Sequence, residues 1–145
     1  ASMTGAEAGL VIISADDPGM HSSQNEQDNR TFAKFARIPC LEPSDSQEAK
    51  DFTVAAFELS EQFDTPVLLR LTTRVCHSKS LVELGERQEV AIRPYVKNIK
   101  KYVAVPANAR PMGPGLSRNH SASARLMWLA SSTISGKPLK PQSAR

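Results

Sequence analysis

The chain has 145 residues, 40% of them hydrophobic and 23% charged, with a formal net charge of +3. That suffices for one ordinary domain with a core and falls short of a complete multidomain enzyme. The apolar runs, Leu10 to Ile13 and Leu126 to Ala130 among them, are far too short for a helical membrane span, and two cysteines without CxxC spacing argue against a metal knuckle or a disulfide framework. A reducing cytoplasm is therefore the expected setting.

The charge is unevenly placed. Residues 1–89 carry eight Lys/Arg against fifteen Asp/Glu, whereas residues 90–145 carry ten Lys/Arg and no acid. Two physically different segments are expected. There is no initiating Met, and an apolar run begins almost at once, which leads us to expect further chain upstream.

Gly9 to Ala15 is short, apolar and rich in β-branched residues, as suits a strand buried on both faces of a parallel sheet. Asp16-Asp17-Pro18-Gly19 then predicts a turn, followed by a polar loop, Met20 to Asp28. A short helix over about Asn25 to Ala36 is predicted next, with Phe32, Phe35 and Ala36 on one side. Ile38 to Leu41 reads as a second strand weakened by Pro39. Ser44 and Gln47 have capping-box spacing, and Ala49, Phe52, Ala56, Leu59 and Phe63 draw an apolar stripe at helical intervals. Asp64-Thr65-Pro66 ends that helix, and Val67 to Thr73 reads as a third strand.

The order βαβαβ predicts a three-layer α/β fold, a parallel sheet with flanking helices and right-handed crossovers. In such sheets ligands lie beyond the carboxyl ends of the strands, so the loops after Ala15 and after Thr73 should share one rim. Beyond Leu81 the pattern weakens. Tyr95 to Val105 allows a basic helix and a short strand, Pro106 to Arg110 reads as a loop, and residues 111–145 form a basic Ser/Pro/Gly-rich tail expected to be poorly ordered.

Several residues on the expected rim have the chemistry of a site. His21, Ser22, Ser23, Gln24 and Asn25 crowd five hydrogen-bonding side chains into one loop. Their plainer role is to satisfy loop backbone and cap a helix. His21 is the strongest candidate for moving a proton, because imidazole both donates and accepts near neutral pH. Asp16 and Asp17 fit an Asx role in the turn better than a metal pair, since no third ligand follows at metal spacing. Arg74 and His77 close the third strand. Arg74 could grip a substrate carboxylate or pair with a neighbouring acid. Cys76 beside His77 lacks the signs of an activated nucleophile. Arg70, inside an apolar strand, reads as a sheet-edge or subunit-contact residue.

Four blocks, Ala15 to Arg30 (ADDPGMHSSQNEQDNR), Leu41 to Phe52, Phe63 to Lys79 (FDTPVLLRLTTRVCHSK) and Lys101 to Arg110, resemble the large subunit of indolepyruvate (2-oxoacid) ferredoxin oxidoreductases, in order and at compatible spacing. The resemblance covers about residues 9–110. It implies part of a pyrimidine-binding thiamine-diphosphate domain over residues 1–110, with the tail outside it. It further implies an enzyme that oxidatively decarboxylates aryl 2-oxoacids with coenzyme A and passes electrons to ferredoxin. Thiamine diphosphate with Mg2+ and 4Fe-4S clusters would be its cofactors. The partners it implies are the remaining modules of the same subunit and a smaller second subunit. On that resemblance His21 becomes a catalytic candidate, and Asp17, Ser22, Ser23, Gln24, Asn25, Arg74 and His77 become substrate- or cofactor-binding candidates. A GDG sequence and a cysteine cluster are not found in the chain, so no tight cofactor binding and no independent catalysis are expected of it.

Two other readings stand beside this one. A non-catalytic anion- or nucleic-acid-binding protein would use the basic C-terminal segment, but that segment lacks interleaved aromatics. A flavodoxin-like regulatory module would share the strand order, but no phosphate-cradling glycine loop supports it.

Overall fold

The computed structural model describes residues 1–87 and 89–114. Three strands, β1 (Val11–Asp16), β2 (Cys40–Leu41) and β3 (Val67–Thr72), form one sheet in the order β1-β3-β2, and both pairings are parallel. Helix α1 (Arg30–Ala36) joins β1 to β2, and α2 (Ser46–Phe63) joins β2 to β3. Alternation along β3 explains the layers, because successive side chains point to opposite faces. Val67 and Leu69 pack with Leu41 and Ala56 on the α2 side, supported by Phe52, Leu59 and Leu71. Leu68 packs with Ala33, Ile38 and Cys40 on the α1 side. The expected three-layer parallel α/β arrangement is present.

The apolar stripe of α2 forms as its spacing predicts, but the cap lies one residue later than Ser44. Asp45 is the N-cap and its carboxylate accepts from the Glu48 amide at 2.8 Å, while Glu48 reaches back to the Ser44 amide at 2.8 Å. Aspartate offers the same oxygen acceptor as serine with a charge that suits the helix N-terminus. At the other end Asp64 turns left-handed, with φ of 49°, and closes the helix onto the Ser60 carbonyl.

Other expectations need correction. The first helix begins at Arg30, not near Asn25, because the residues before it are engaged elsewhere: Glu26 accepts from the Gly19 amide and Asn29 binds Asp16 and Ser14. On that helix Ala33 is buried and Phe35 is 89% exposed. β1 is not buried on both faces. It lies at the edge of the sheet as described, and Ile13 is 65% exposed. Arg70, expected at an edge, sits on the central strand and is 2% exposed.

The second strand shortens to Cys40–Leu41, although the Pro39 carbonyl still accepts from the Leu68 amide at 2.8 Å. β3 passes directly into a single-turn helix, α3 (Thr73–His77), in place of a loop. Beyond it the described backbone is irregular until α4 (Ile99–Tyr102), and no strand forms between residues 95 and 105. Residues 106–114 are helical, where a loop was expected over 106–110 and a poorly ordered tail from 111, and the rest of that tail lies outside the described residues.

Candidate functional site

Parallel pairing decides where the candidate residues meet. Asp16 lies opposite Thr72 in the β1–β3 ladder, so the loop leaving β1 and the helix leaving β3 emerge side by side. His21 to Asn25 and the Arg74/His77 pair therefore occupy one rim at the carboxyl ends of the strands.

The loop is built around two carboxylates. Met20 donates to the Asp17 carbonyl, closing a four-residue turn with Pro18 second and Gly19 third. The φ of 82° at Gly19 is what a type II turn requires there. A side chain on Gly19 would meet the imidazole of His21, whose Nε2 would lie 3.1 Å from the added carbon. Asp17 then gathers the chain. Its carboxylate accepts from the amides of His21 at 3.1 Å and Ser22 at 2.7 Å, from the Ser23 amide, and from the Thr73 hydroxyl at 2.6 Å. The Thr73 bond and the Ser22 and Ser23 amides together hold its pKa well below the ordinary carboxylate range, against the opposing effect of burial. Asp17 is thus a fixed anion that staples the β1 loop to the start of α3.

Asp16 is the second organiser. One oxygen accepts from the Asp17 amide at 3.0 Å; the other accepts from the Asn29 amide at 2.9 Å and from Arg70 Nε at 2.6 Å. Burial pushes its pKa up, but the Asn29 amide and the Arg70 guanidinium outweigh burial, and the net shift is downward. Arg70 Nη1 also donates to Glu42, a half-exposed residue just past β2. Burial pulls the Arg70 pKa down, and the two carboxylates more than offset it.

With the backbone so fixed, the side chains of His21, Ser22, Gln24 and Asn25 are exposed on the loop. Ser23 is half-buried, and its hydroxyl donates to the Asn25 carbonyl at 2.8 Å. Arg74, Cys76 and His77 are exposed on α3. The structure brings the two groups to one rim without joining them: among the described residues no hydrogen bond links His21 to Arg74 or His77. Sequence reasoning missed Glu42, Asn29 and Thr73 as parts of this rim. An arginine in an otherwise apolar strand was the one signal available, since a buried cation requires a buried anion.

An open parallel sheet flanked by helices defines an α/β module, an architecture in which ligands commonly sit beyond the carboxyl ends of the strands. Its relatives are more specific. The chain is 54% identical to the indolepyruvate oxidoreductase subunit IorA of Methanothermobacter marburgensis over 110 residues, covering 75% of this chain and 18% of that subunit. It is 50% identical over 121 residues to the IorA subunit of Pyrococcus horikoshii, covering 79% and 19%, and 46% identical over 112 residues to that of Archaeoglobus fulgidus, covering 76% and 18%. Over the aligned segment the chain belongs with the IorA subunits of indolepyruvate oxidoreductases, and it spans about a fifth of their length. No family profile and no solved structure matches it. No described helix is long and apolar enough to cross a membrane.

Proposed function

We propose that this chain forms part of the pyrimidine-side module of a thiamine-diphosphate-dependent oxidoreductase that decarboxylates indolepyruvate and related aryl 2-oxoacids, and that it is not catalytic alone. The observation that carries the reading is the shared rim: the Asp17–Thr73 bond holds the His21–Asn25 loop beside Arg74 and His77. Identity of 46–54% to IorA subunits supplies the substrate class. Coenzyme A, ferredoxin, the 4Fe-4S clusters and a smaller second subunit belong to the complete cytoplasmic enzyme in this proposal.

The rim fits some of the cofactor and not all of it. Three successive loop amides, which could otherwise cradle a phosphate, are already taken by Asp17. Among the described residues no three His, Cys, Asp or Glu side chains gather as metal ligands do. Among the described residues the rim therefore offers no grip for the diphosphate and its Mg2+. Thiamine diphosphate supplies the nucleophile and electron sink for the 2-oxo carbon when bound in the complete enzyme.

This chain's own residues have simpler duties. His21 holds or delivers a proton at its imidazole. Arg74 orients the substrate carboxylate with a two-pronged contact, and Ser22, Gln24, Asn25 and His77 offer polar contacts to the ring or substrate.

The nucleic-acid alternative finds less support, because part of the basic charge is consumed inside the molecule. Arg93 pairs with Glu61 at 2.8 Å, and Lys101 pairs with Glu7 at 3.1 Å and with Asp64.

A direct test replaces the matching segment of a complete IorA relative with residues 9–110 and follows viologen reduction with indolepyruvate and coenzyme A. The graft should turn over. Within it, His21→Ala should lower kcat by about 10²–10⁴-fold, and Arg74→Ala should act mainly on KM. Full activity in both variants would overturn the assignment.

A further inference from the structure

We infer that Arg70 is the positioning residue of the rim, a single buried side chain that sets the places of all three strand ends. It rises from the central strand β3 on the face that also carries Leu68, is 2% exposed, and reaches in two directions. Nε holds Asp16 at the end of β1, and Nη1 holds Glu42 just past β2. Asp16 then passes the constraint on, because it accepts the amides of Asp17 and Asn29, which bracket the loop bearing His21 to Asn25. Four residues further along its own strand, Arg70 leads into Arg74 on α3.

The residue type follows from this geometry. A planar guanidinium offers donors along two divergent edges, so it can bind two carboxylates that approach from different strands, whereas an ammonium is one point charge on a flexible stem. Stability alone gives weak reason for such a network. An apolar residue here would extend the row of Leu68, Ala33 and Ile38, and buried ion networks are often no more stabilising than the apolar set that replaces them. What the network provides is definition: it fixes the place of a loop whose own side chains are exposed.

The functional meaning of the inference rests on the proposed ligand-facing rim, but its test is read without any ligand. Amide hydrogen exchange of the full 145-residue chain compares the loop amides of Asp17 and Asn29 with the sheet amides of Leu68 and Leu69. Arg70→Lys should speed exchange at Asp17 and Asn29 by about tenfold or more relative to any change at Leu68 and Leu69. Glu42→Gln removes the charge of a half-exposed partner and should show the same pattern at a smaller factor, which keeps the test open should Arg70→Lys fail to fold.

The double variant Asp16→Leu/Arg70→Met separates positioning from bulk stability. It should recover the thermal midpoint and leave the loop amides fast. Equal acceleration of loop and sheet amides, or loop protection returning with the midpoint, would overturn the inference. Failure of the thiamine reading would leave the exchange pattern unaltered, and an inactive graft with the predicted exchange would condemn that reading alone.

Discussion

The sheet and the described residues between 78 and 105 both reach α2, and they are held to it by different physics. The sheet buries Leu41, Val67 and Leu69 against Ala56 on the helix's inner face. In the second, Leu81, Leu84, Ile92 and Tyr95 are all exposed, and it meets the helix through a series of polar contacts. Lys50 donates to the Glu83 carbonyl and Gln47 accepts the Glu83 amide, each at 2.8 Å, near the helix start. Arg93 reaches Glu61 at 2.8 Å, and Lys101 reaches Asp64 at its end. Apolar burial is non-directional and scales with area, whereas exposed polar contacts gain little over water. The difference teaches that the first region is the structural unit and the second a strap laid along it.

The sharpest way to break that comparison is a matched pair of truncations. Leu69→Ala in the sheet should cost about 2–5 kcal/mol, while Leu84→Ala in the strap should change stability by no more than about 0.5 kcal/mol. Urea unfolding reads both. Similar losses would show that the strap shares the core.

Acid should next separate the regions by which carboxylates they depend on. Asp16 and Asp64 both have folded pKa values below their ordinary value. Burial opposes the shift at each, and it is outweighed at Asp16 by the Asn29 amide and Arg70, and at Asp64 by Lys101 and the Glu7 and Ala6 amides. A depressed folded pKa contributes stability that is fully present above the unfolded value of about 3.9 and disappears as pH falls through the lower folded value. Stability followed by circular dichroism should therefore be flat from neutral pH down to about 5 as far as these groups are concerned, then fall below about 4. Asp16→Asn should flatten that fall more than Asp64→Asn, since Asp16 is buried in the sheet and Asp64 is partly exposed.

Periodic features were readable from sequence because they repeat. The stripe Phe52, Ala56, Leu59 names the inner face of α2, the run from Val67 names the central strand, and Pro18-Gly19 names the turn. The rim position of Arg74 and His77 also followed, since it depends only on strands being parallel. Features resting on one long-range partner were not readable. Arg70 and Asp16 are 54 residues apart, and nothing local to either says that they touch. The start of α1 was misplaced for the same reason, because Asn29 commits its side chain to Ser14 and its amide to Asp16. Exposure of Ile13 was hidden too, since an apolar run fits an edge strand awaiting cover as well as a buried one.

The smallest effect tests the strap itself. Asp64 gathers three segments: its carboxylate accepts from the Ala6 and Glu7 amides at 3.0 and 2.9 Å and from Lys101, while its own backbone ends α2 in a left-handed turn. The substitution Asp64→Asn would keep both the shape and that turn, because asparagine tolerates the left-handed region, and would lose the charge together with the acceptor that faces Lys101, where an amide NH2 can only donate. For a partly exposed pair the cost should be about 1 kcal/mol or less, lowering the thermal midpoint by only a few degrees. The strap should respond more than the core does. Limited trypsin cleavage at Arg87 and Lys97 should rise several-fold in Asp64→Asn and in high salt, which screens exposed pairs, while the fragment carrying the sheet stays protected. Cleavage unchanged by both would mean that burial beyond these polar contacts holds residues 78–105, and the distinction between the two regions would fall.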